Sequence, residues 1–190
     1  MKKNNSSFLA FLAILSFFFL LFSYPTKRTS EDGLHERRFL EKYNIFAINR
    51  PNNLAFCSEE IDIKSEDIWE RMDKELLKNI YWQSNTMLYI KRANKYFPII
   101  EPILKANSIP NDFKYLAVIE SGLENVVSPS KAAGFWQILK GTAKEYGLEV
   151  NHDIDERYNL EKSTRVACDY LKEAYEKFGS WTMAAASYNK

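Results

Sequence analysis

An all-α domain is predicted, and three observations predict it. Apolar residues recur at helical spacing from about Ser65 onward, no stretch of useful length alternates with the period of a strand, and no internal repeat occurs. With 190 residues the chain has room for one domain with a real core, plus a leader and a spacer. The expected division is 1–25 as signal peptide or N-terminal membrane anchor, 26–64 as linker, and 65–190 as the helical domain.

Each segment follows from its composition. Lys2 and Lys3 precede an apolar run from Phe8 to Phe22 that only Ser16 interrupts, the basic-then-apolar pattern of an export signal. The run is shorter than the roughly 20 residues a spanning helix prefers, yet Ser23-Tyr24-Pro25 is a poor cleavage site. A cleaved leader and an uncleaved anchor both fit, and export is expected either way. From Thr26 to about Ser65 the text is polar and mixed, with Glu31-Asp32-Gly33 and Asn49-Arg50-Pro51-Asn52-Asn53 as turn-rich pieces.

Helices then follow in order. Ser65-Glu66-Asp67-Ile68 reads as an N-cap with an acidic first turn, and Ile68, Met72, Leu76 and Ile80 share one face. A second helix is expected over Asn85–Asn94. Pro98 would open a separate short helix reaching Lys105, because proline breaks a helix interior but suits its first turn. The helix from Pro110 to Ser121 is apolar almost all round, which predicts a central position, with Gly122 as its stop. Gly141–Gly147 reads as a short helix and Asn151–Leu160 as a polar loop. Ser163–Phe178 is amphipathic, with Val166, Ala167, Tyr170, Leu171, Ala174 and Phe178 inward, and a last helix covers Thr182–Tyr188.

Charge and metal-ligand content exclude several functions. Lys plus Arg (26) nearly balance Asp plus Glu (25), so no basic surface is implied and nucleic acid is not an expected partner. Aromatics make up 15% of the chain, which suits carbohydrate stacking, although core packing accounts for most of them more simply. His35 and His152 have no Cys or His at ligand spacing, so neither a metal nor another cofactor is expected. Cys57 and Cys168 define no disulfide framework and are read as unpaired thiols, Cys168 a small buried one.

The candidate chemistry centres on Glu120. By the i, i+3, i+4, i+7 rule Phe113, Leu116, Ala117 and Glu120 share a face, so a lone carboxylate ends an apolar stripe. Burial and the negative end of the helix dipole both raise its pKa, and a carboxyl protonated near neutrality can donate a proton and take one back. The plain alternative is a Glu paired with Lys or Arg, or one simply in solvent. Glycosidases usually employ a second carboxylate. Glu124, Asp112, Asp153, Asp155 and Glu156 are available, but nothing about their surroundings singles one out, so a one-carboxylate mechanism is preferred. Ser128-Pro129-Ser130-Lys131-Ala132-Ala133-Gly134 gathers small residues where a substrate or another helix must come close. Gln137 offers an amide for a sugar or for Glu120, and Tyr188-Asn189 ends an alanine-rich helix.

Taken in sequence, Glu120-Ser121, Ala133-Gly134-Phe135-Trp136-Gln137, Thr142-Ala143 with Tyr146-Gly147-Leu148, and Ala186-Ser187-Tyr188-Asn189 resemble the motif series of the bacterial lytic transglycosylases. The resemblance covers about Tyr81 to Asn189, includes Asp155-Glu156-Arg157, and is strongest to the membrane-bound murein transglycosylase D type, a relative of goose-type lysozyme. It implies a lysozyme-like helical fold that cuts the β-1,4 bond from N-acetylmuramic acid to N-acetylglucosamine in peptidoglycan. Glu120 would serve as acid and then base while the muramyl 6-hydroxyl, not water, closes a 1,6-anhydro ring. Ser121, Ser128, Gly134, Phe135, Gln137, Tyr188 and Asn189 would be the substrate-binding set. Two departures accompany it: Lys131 stands where the family commonly has Gly, and the family pattern continues beyond the position of Lys190, so a truncated groove is expected. The rival readings are a muramidase that uses water, with a loop acid such as Asp153 as base, and a non-catalytic peptidoglycan-binding or scaffold module. Peptidoglycan strands are the implied partner and the periplasm or cell envelope the implied location, with membrane association through the N-terminal apolar run.

Overall fold

The computed structural model describes Gly33, Leu34, Arg37, Arg38 and residues 47–188. The chain divides into two units, Met1–Phe46 and Ala47–Lys190. Of the first unit only the four named residues are described, all helical. The apolar run Phe8–Phe22 and Asn189 lie outside the described residues. Among those described, no helix is long and apolar enough to cross a membrane.

The second unit is all-α apart from one two-residue hairpin. Strands β1 (Ala55–Phe56) and β2 (Glu59–Glu60) pair antiparallel, followed by α1 (Glu66–Tyr81) and α2 (Gln83–Ala106). A 3-10 turn at Asn111–Phe113 leads into α3 (Lys114–Ser121), then come α4 (Lys140–Glu145), a 3-10 turn at Glu156–Tyr158, α5 (Leu160–Phe178) and α6 (Trp181–Ser187). The core lies where α2, α3 and α5 meet the 123–138 loop: Ile100, Leu104, Phe113, Ala117, Leu123, Trp136, Cys168 and Leu171 are fully or almost fully buried.

Several elements follow from the signals that announced them. Gly122 and Gly179 end α3 and α5 in the left-handed conformation, at φ 62° and 69°, as C-cap glycines do. Asn159 caps α5 by accepting from the Lys162 amide, and Ser180 caps α6 by accepting from Met183. Ser65 precedes α1 as expected, but its side chain makes no capping bond.

Four expectations are corrected. Pro98 does not start a new helix: α2 runs unbroken through Pro98 and Pro102. Each proline removes one intrahelical hydrogen bond, at a cost of about 3 kcal/mol or more in a helix interior. Their four-residue spacing means that the partner Pro102 cannot reach is the carbonyl of Pro98 itself. Ile100, Ile103 and Leu104, buried against α5 and the core, hold the helix together across the two breaks. Second, α3 is not enclosed on all sides. Phe113 and Ala117 are buried, whereas Tyr115 is 52% and Ile119 78% exposed, so the helix lies at the surface with one face out. Third, the apolar face of α1 has no core beneath it, since none of its residues is buried. Fourth, Phe178 sits at the exposed end of α5 rather than in the inward stripe.

Residues 47–64 also pack with the helices, although the sequence reads as spacer there. Cys57 and Ile63 are buried, and Phe56 meets Phe113 edge-to-face at 5.3 Å. Cys57 and Cys168 are both free and buried, and burial pushes each thiol up to about 12. Neither is ionised near neutrality, and a thiol must ionise to react. The native protein should therefore be nearly inert to a thiol-exchange reagent at pH 8 and should titrate two thiols once unfolded in guanidinium. Rapid reaction of either in the native state would contradict the burial.

Candidate active site

The 123–138 loop is built as a compact platform. Ser128 N–H donates to the Ala132 carbonyl (2.9 Å), and Ala133 and Ile138 exchange backbone bonds at 3.0 and 3.1 Å. Gly134 N–H donates to the Val126 carbonyl at 3.0 Å. Gly134 has φ 81°, and a Cβ there would lie 2.1 Å from the Arg157 carbonyl oxygen, so backbone passes against backbone and only glycine fits. Lys131 adopts φ 65°, the left-handed region that favours glycine.

Arg157, itself buried, ties the platform down. Its Nε and Nη2 donate to the two oxygens of Asp155 at 2.9 and 2.7 Å, while Nη1 donates to the carbonyls of Lys131 (2.9 Å) and Ile138 (3.1 Å). The guanidinium in turn holds the Asp155 carboxyl below its ordinary range. Trp136 is fully buried and donates its indole N–H to Thr164 Oγ1 at 2.8 Å, anchoring the platform to α5.

Beside this platform lies a cavity of about 510 Å³. Glu120 from α3, Ser128, Ser130, Ala132 and Gln137 from the loop, Thr142 from α4, Tyr170 from α5 and Tyr188 after α6 line it, with Ile138, Leu139, Val166 and Ala167 as its apolar surface. Glu120 is half-buried, with no hydrogen-bond or ion-pair partner among the described residues, and its pKa is raised by desolvation alone. Tyr188 donates its hydroxyl to the Trp136 carbonyl (2.9 Å) and packs edge-on to Tyr170 at 5.2 Å. Its own pKa is raised, first by burial and then by the charge of Glu120. Tyr170 donates to the Ser187 carbonyl at 2.8 Å, which fixes the ring that supports Tyr188.

The expected site residues therefore separate. Glu120, Ser128, Gln137 and Tyr188 come together around the cavity. Gln137 donates its amide nitrogen to the Val126 and Gly134 carbonyls at 3.0 and 2.9 Å, not to Glu120, so its Oε1 is the atom left for a ligand. Tyr188 likewise bonds to Trp136 and not to the carboxyl. Ser121 lies behind the wall: its hydroxyl donates to the Phe135 carbonyl (2.8 Å) and lies 3.1 Å from that of Ala117, joining the end of α3 to the platform. Phe135 faces away and meets Tyr96 edge-on at 4.8 Å, and Gly134 serves the close approach to Arg157. Thr142 and Tyr170 were not expected as lining residues. Tyr170 reads in the sequence as part of the inward stripe of α5, and periodicity does not separate a core wall from a cavity wall.

The other acids are spoken for or remote. Glu124 pairs with Arg92, Asp155 with Arg157, Glu156 with Lys162, and Asp153 lies exposed beside His152; none lines the cavity.

Residues 97–190 match the family described as "Transglycosylase SLT domain". This segment is similar to the SLT family. Over 140 residues, 71% of its length, the chain is 29% identical to proteins named membrane-bound lytic murein transglycosylase D from Escherichia coli strains K12 and O6:H1. Over 120 residues (62% of the chain) it is 27% identical to an Alteromonas protein named for tributyltin chloride resistance. The alignment spans 30% of each E. coli protein and 58% of the Alteromonas one. The SLT match begins at Phe97, within α2, and contains all twelve residues that line the cavity.

Two outcomes test this geometry. Glu120 has a raised folded-state pKa, so its burial is harmless below the unfolded value and costs stability as pH rises through the folded one. Glu120→Gln should therefore raise the melting temperature at pH 7 to 8, by the equivalent of about 1 kcal/mol or less for a half-exposed group, and the gain should vanish near pH 4. Gly134→Ala should destabilise the domain by at least about 2 kcal/mol in a denaturant titration, since a backbone shift and a strained φ are both required.

Proposed function

We propose that this chain is a peptidoglycan lytic transglycosylase, cleaving the bond from N-acetylmuramic acid to N-acetylglucosamine without water, with Glu120 as its single general acid/base. The observation that carries the reading is that Glu120 is the one carboxylate lining the cavity among the described residues. Inverting and retaining glycosidases usually employ a second carboxylate, roughly 5–5.5 Å away as nucleophile or about 6.5–9.5 Å away as base. With one acid only, the attacking group must come from elsewhere, and the muramyl 6-hydroxyl is the oxygen the substrate itself supplies.

The proton account then closes. Desolvation raises the pKa of Glu120 and favours its protonated form, which donates to the glycosidic oxygen as the bond to the anomeric carbon breaks. The resulting carboxylate takes the proton of the 6-hydroxyl as that oxygen closes onto the anomeric carbon, which restores the acid and leaves a 1,6-anhydro end. Ser128, Thr142 and the Oε1 of Gln137 supply polar contacts for the sugar, and Tyr188 and Tyr170 bound the chamber with aromatic surface. Asn189, next to Tyr188, would add a further sugar contact. The printed names of the E. coli relatives support murein as the substrate class. Those names and the apolar run Phe8–Phe22 support a cell-envelope location with membrane association.

Digestion of purified peptidoglycan followed by mass spectrometry of the muropeptides tests the reading. Wild-type protein should release anhydro-muramyl products, and Glu120→Gln should lower the rate by about 10²-fold or more. Products with reducing ends would instead mean that water attacks, and the transglycosylase reading would fail.

A further inference from the structure

We propose that the β1–β2 hairpin braces the site from outside the matched SLT segment, and that Glu59 is a positioning residue for Tyr188. The proposal rests on the reading of the Glu120 cavity as the active site.

Two helices bring the chemistry into the cavity: α3 carries Glu120 and α6 leads to Tyr188. The hairpin reaches the beginning of both. At α6 the Glu59 carboxylate accepts three hydrogen bonds, from the Trp181 amide (2.6 Å), the Thr182 amide (2.9 Å) and the Ser180 hydroxyl (2.7 Å). Those amides belong to the first turn of α6 and have no partner within the helix. At the other helix, Cys57 N–H donates to Asp112 Oδ2 at 2.8 Å, in the 3-10 turn that opens into α3. Phe113, fully buried, sits between the two attachments, edge-on to Phe56 at 5.3 Å and to Trp181 at 5.5 Å.

The turn that presents Glu59 is itself costly. Cys57 and Ser58 have φ of 51° and 66°, the left-handed region that a two-residue hairpin of the primed type requires and that Asn-Gly or Gly-Gly would satisfy cheaply. A non-glycine pair holds that shape when tertiary contacts over-determine it, and here those are the buried Cys57, its amide on Asp112, and Glu59 on α6. The three bonds to residues more than 120 positions away are what the strained turn delivers. The ionised state of Glu59, held down to about 2 first by the Thr182 side chain and amide and then by the Ser180 hydroxyl and the Trp181 amide, keeps the brace charged at any working pH.

The far end of α6 reports on the brace. Tyr188 reaches the Trp136 carbonyl and lines the cavity with Glu120, whose carboxyl is raised only by desolvation. The other titratable groups lining the cavity among the described residues are Tyr170 and Tyr188, and no cation lines it. If α6 loosens, Tyr188 withdraws, water enters, and the Glu120 carboxyl moves back toward the ordinary range.

The test uses the full chain with two variants, one at each end of the contact. Glu59→Gln replaces one acceptor oxygen by a donor. Thr182→Pro removes one donating amide, and the Thr182 hydroxyl with it, in a first-turn position that proline tolerates, without touching the hairpin. The Glu120 carboxyl is titrated by carbon NMR, assigned through Glu120→Gln, and amide exchange is followed at Tyr188. Both variants should lower the Glu120 midpoint by about half a pH unit or more and speed exchange at Tyr188 by roughly tenfold. Faster exchange with an unmoved Glu120 would reduce Glu59 to a structural staple and overturn the proposal; unchanged exchange would overturn it as well. Both readouts are independent of turnover. Wild-type protein that released no anhydro-muramyl products would sink the functional reading and leave the brace still decidable.

Discussion

One guanidinium holds the 123–138 platform in shape. Arg157 pairs in fork geometry with Asp155 and, through its remaining nitrogen, grips the carbonyls of Lys131 and Ile138, at the two sides of the 131–138 turn. A buried ion pair is an uncertain source of stability, because desolvation offsets much of the attraction. Its value here is geometric. It fixes where Ser128, Ala132 and Gln137 stand relative to Glu120, and it brings its own backbone so close to Gly134 that the platform has no freedom to slide.

Around that platform, charge is arranged by exclusion. Glu124, Asp155 and Glu156 each pair with a cation, while Glu120 has neither a cation nor a backbone donor among the described residues. The contrast between Asp155, held low by its arginine, and Glu120, held high by desolvation, shows how two carboxyls in one small domain are given opposite proton affinities. The lining contributes hydroxyls, an amide oxygen and phenol rings. Those groups suit a neutral, hydroxyl-rich ligand better than an ionic one.

The helical architecture and the acid were readable in the sequence because their signals are local. Gly122 and Gly179 announced helix ends, the stripe on α5 announced its buried face, and Glu120 stood out as the lone charge on an apolar face. The errors have a common cause, which is that tertiary contact overrode local preference. Pro98 and Pro102 are helix breakers in isolation and became helix interior because Ile100, Ile103 and Leu104 are buried. Tyr115 and Ile119 suggested a central helix and lie at the surface. The hairpin escaped notice because Cys-Ser carries none of the usual turn chemistry, and Glu59 looked like one acid among many until its donors arrived from the other end of the chain. Arg157 was likewise invisible as a hub: a buried arginine and a solvated one are written alike.

The two free thiols carry a consequence in time. Cys57 closes against Asp112 through its amide and Cys168 lies on the buried side of α5, so the folded unit offers an oxidant almost nothing to attack. Before folding, both are open to wrong partners. In oxidising surroundings the chain thus faces a race between burial and oxidation. The shelter of Cys57 needs a hairpin and a helix start 55 residues apart to meet, that of Cys168 needs α2 and α5 to pack, and contacts that close large loops form slowly.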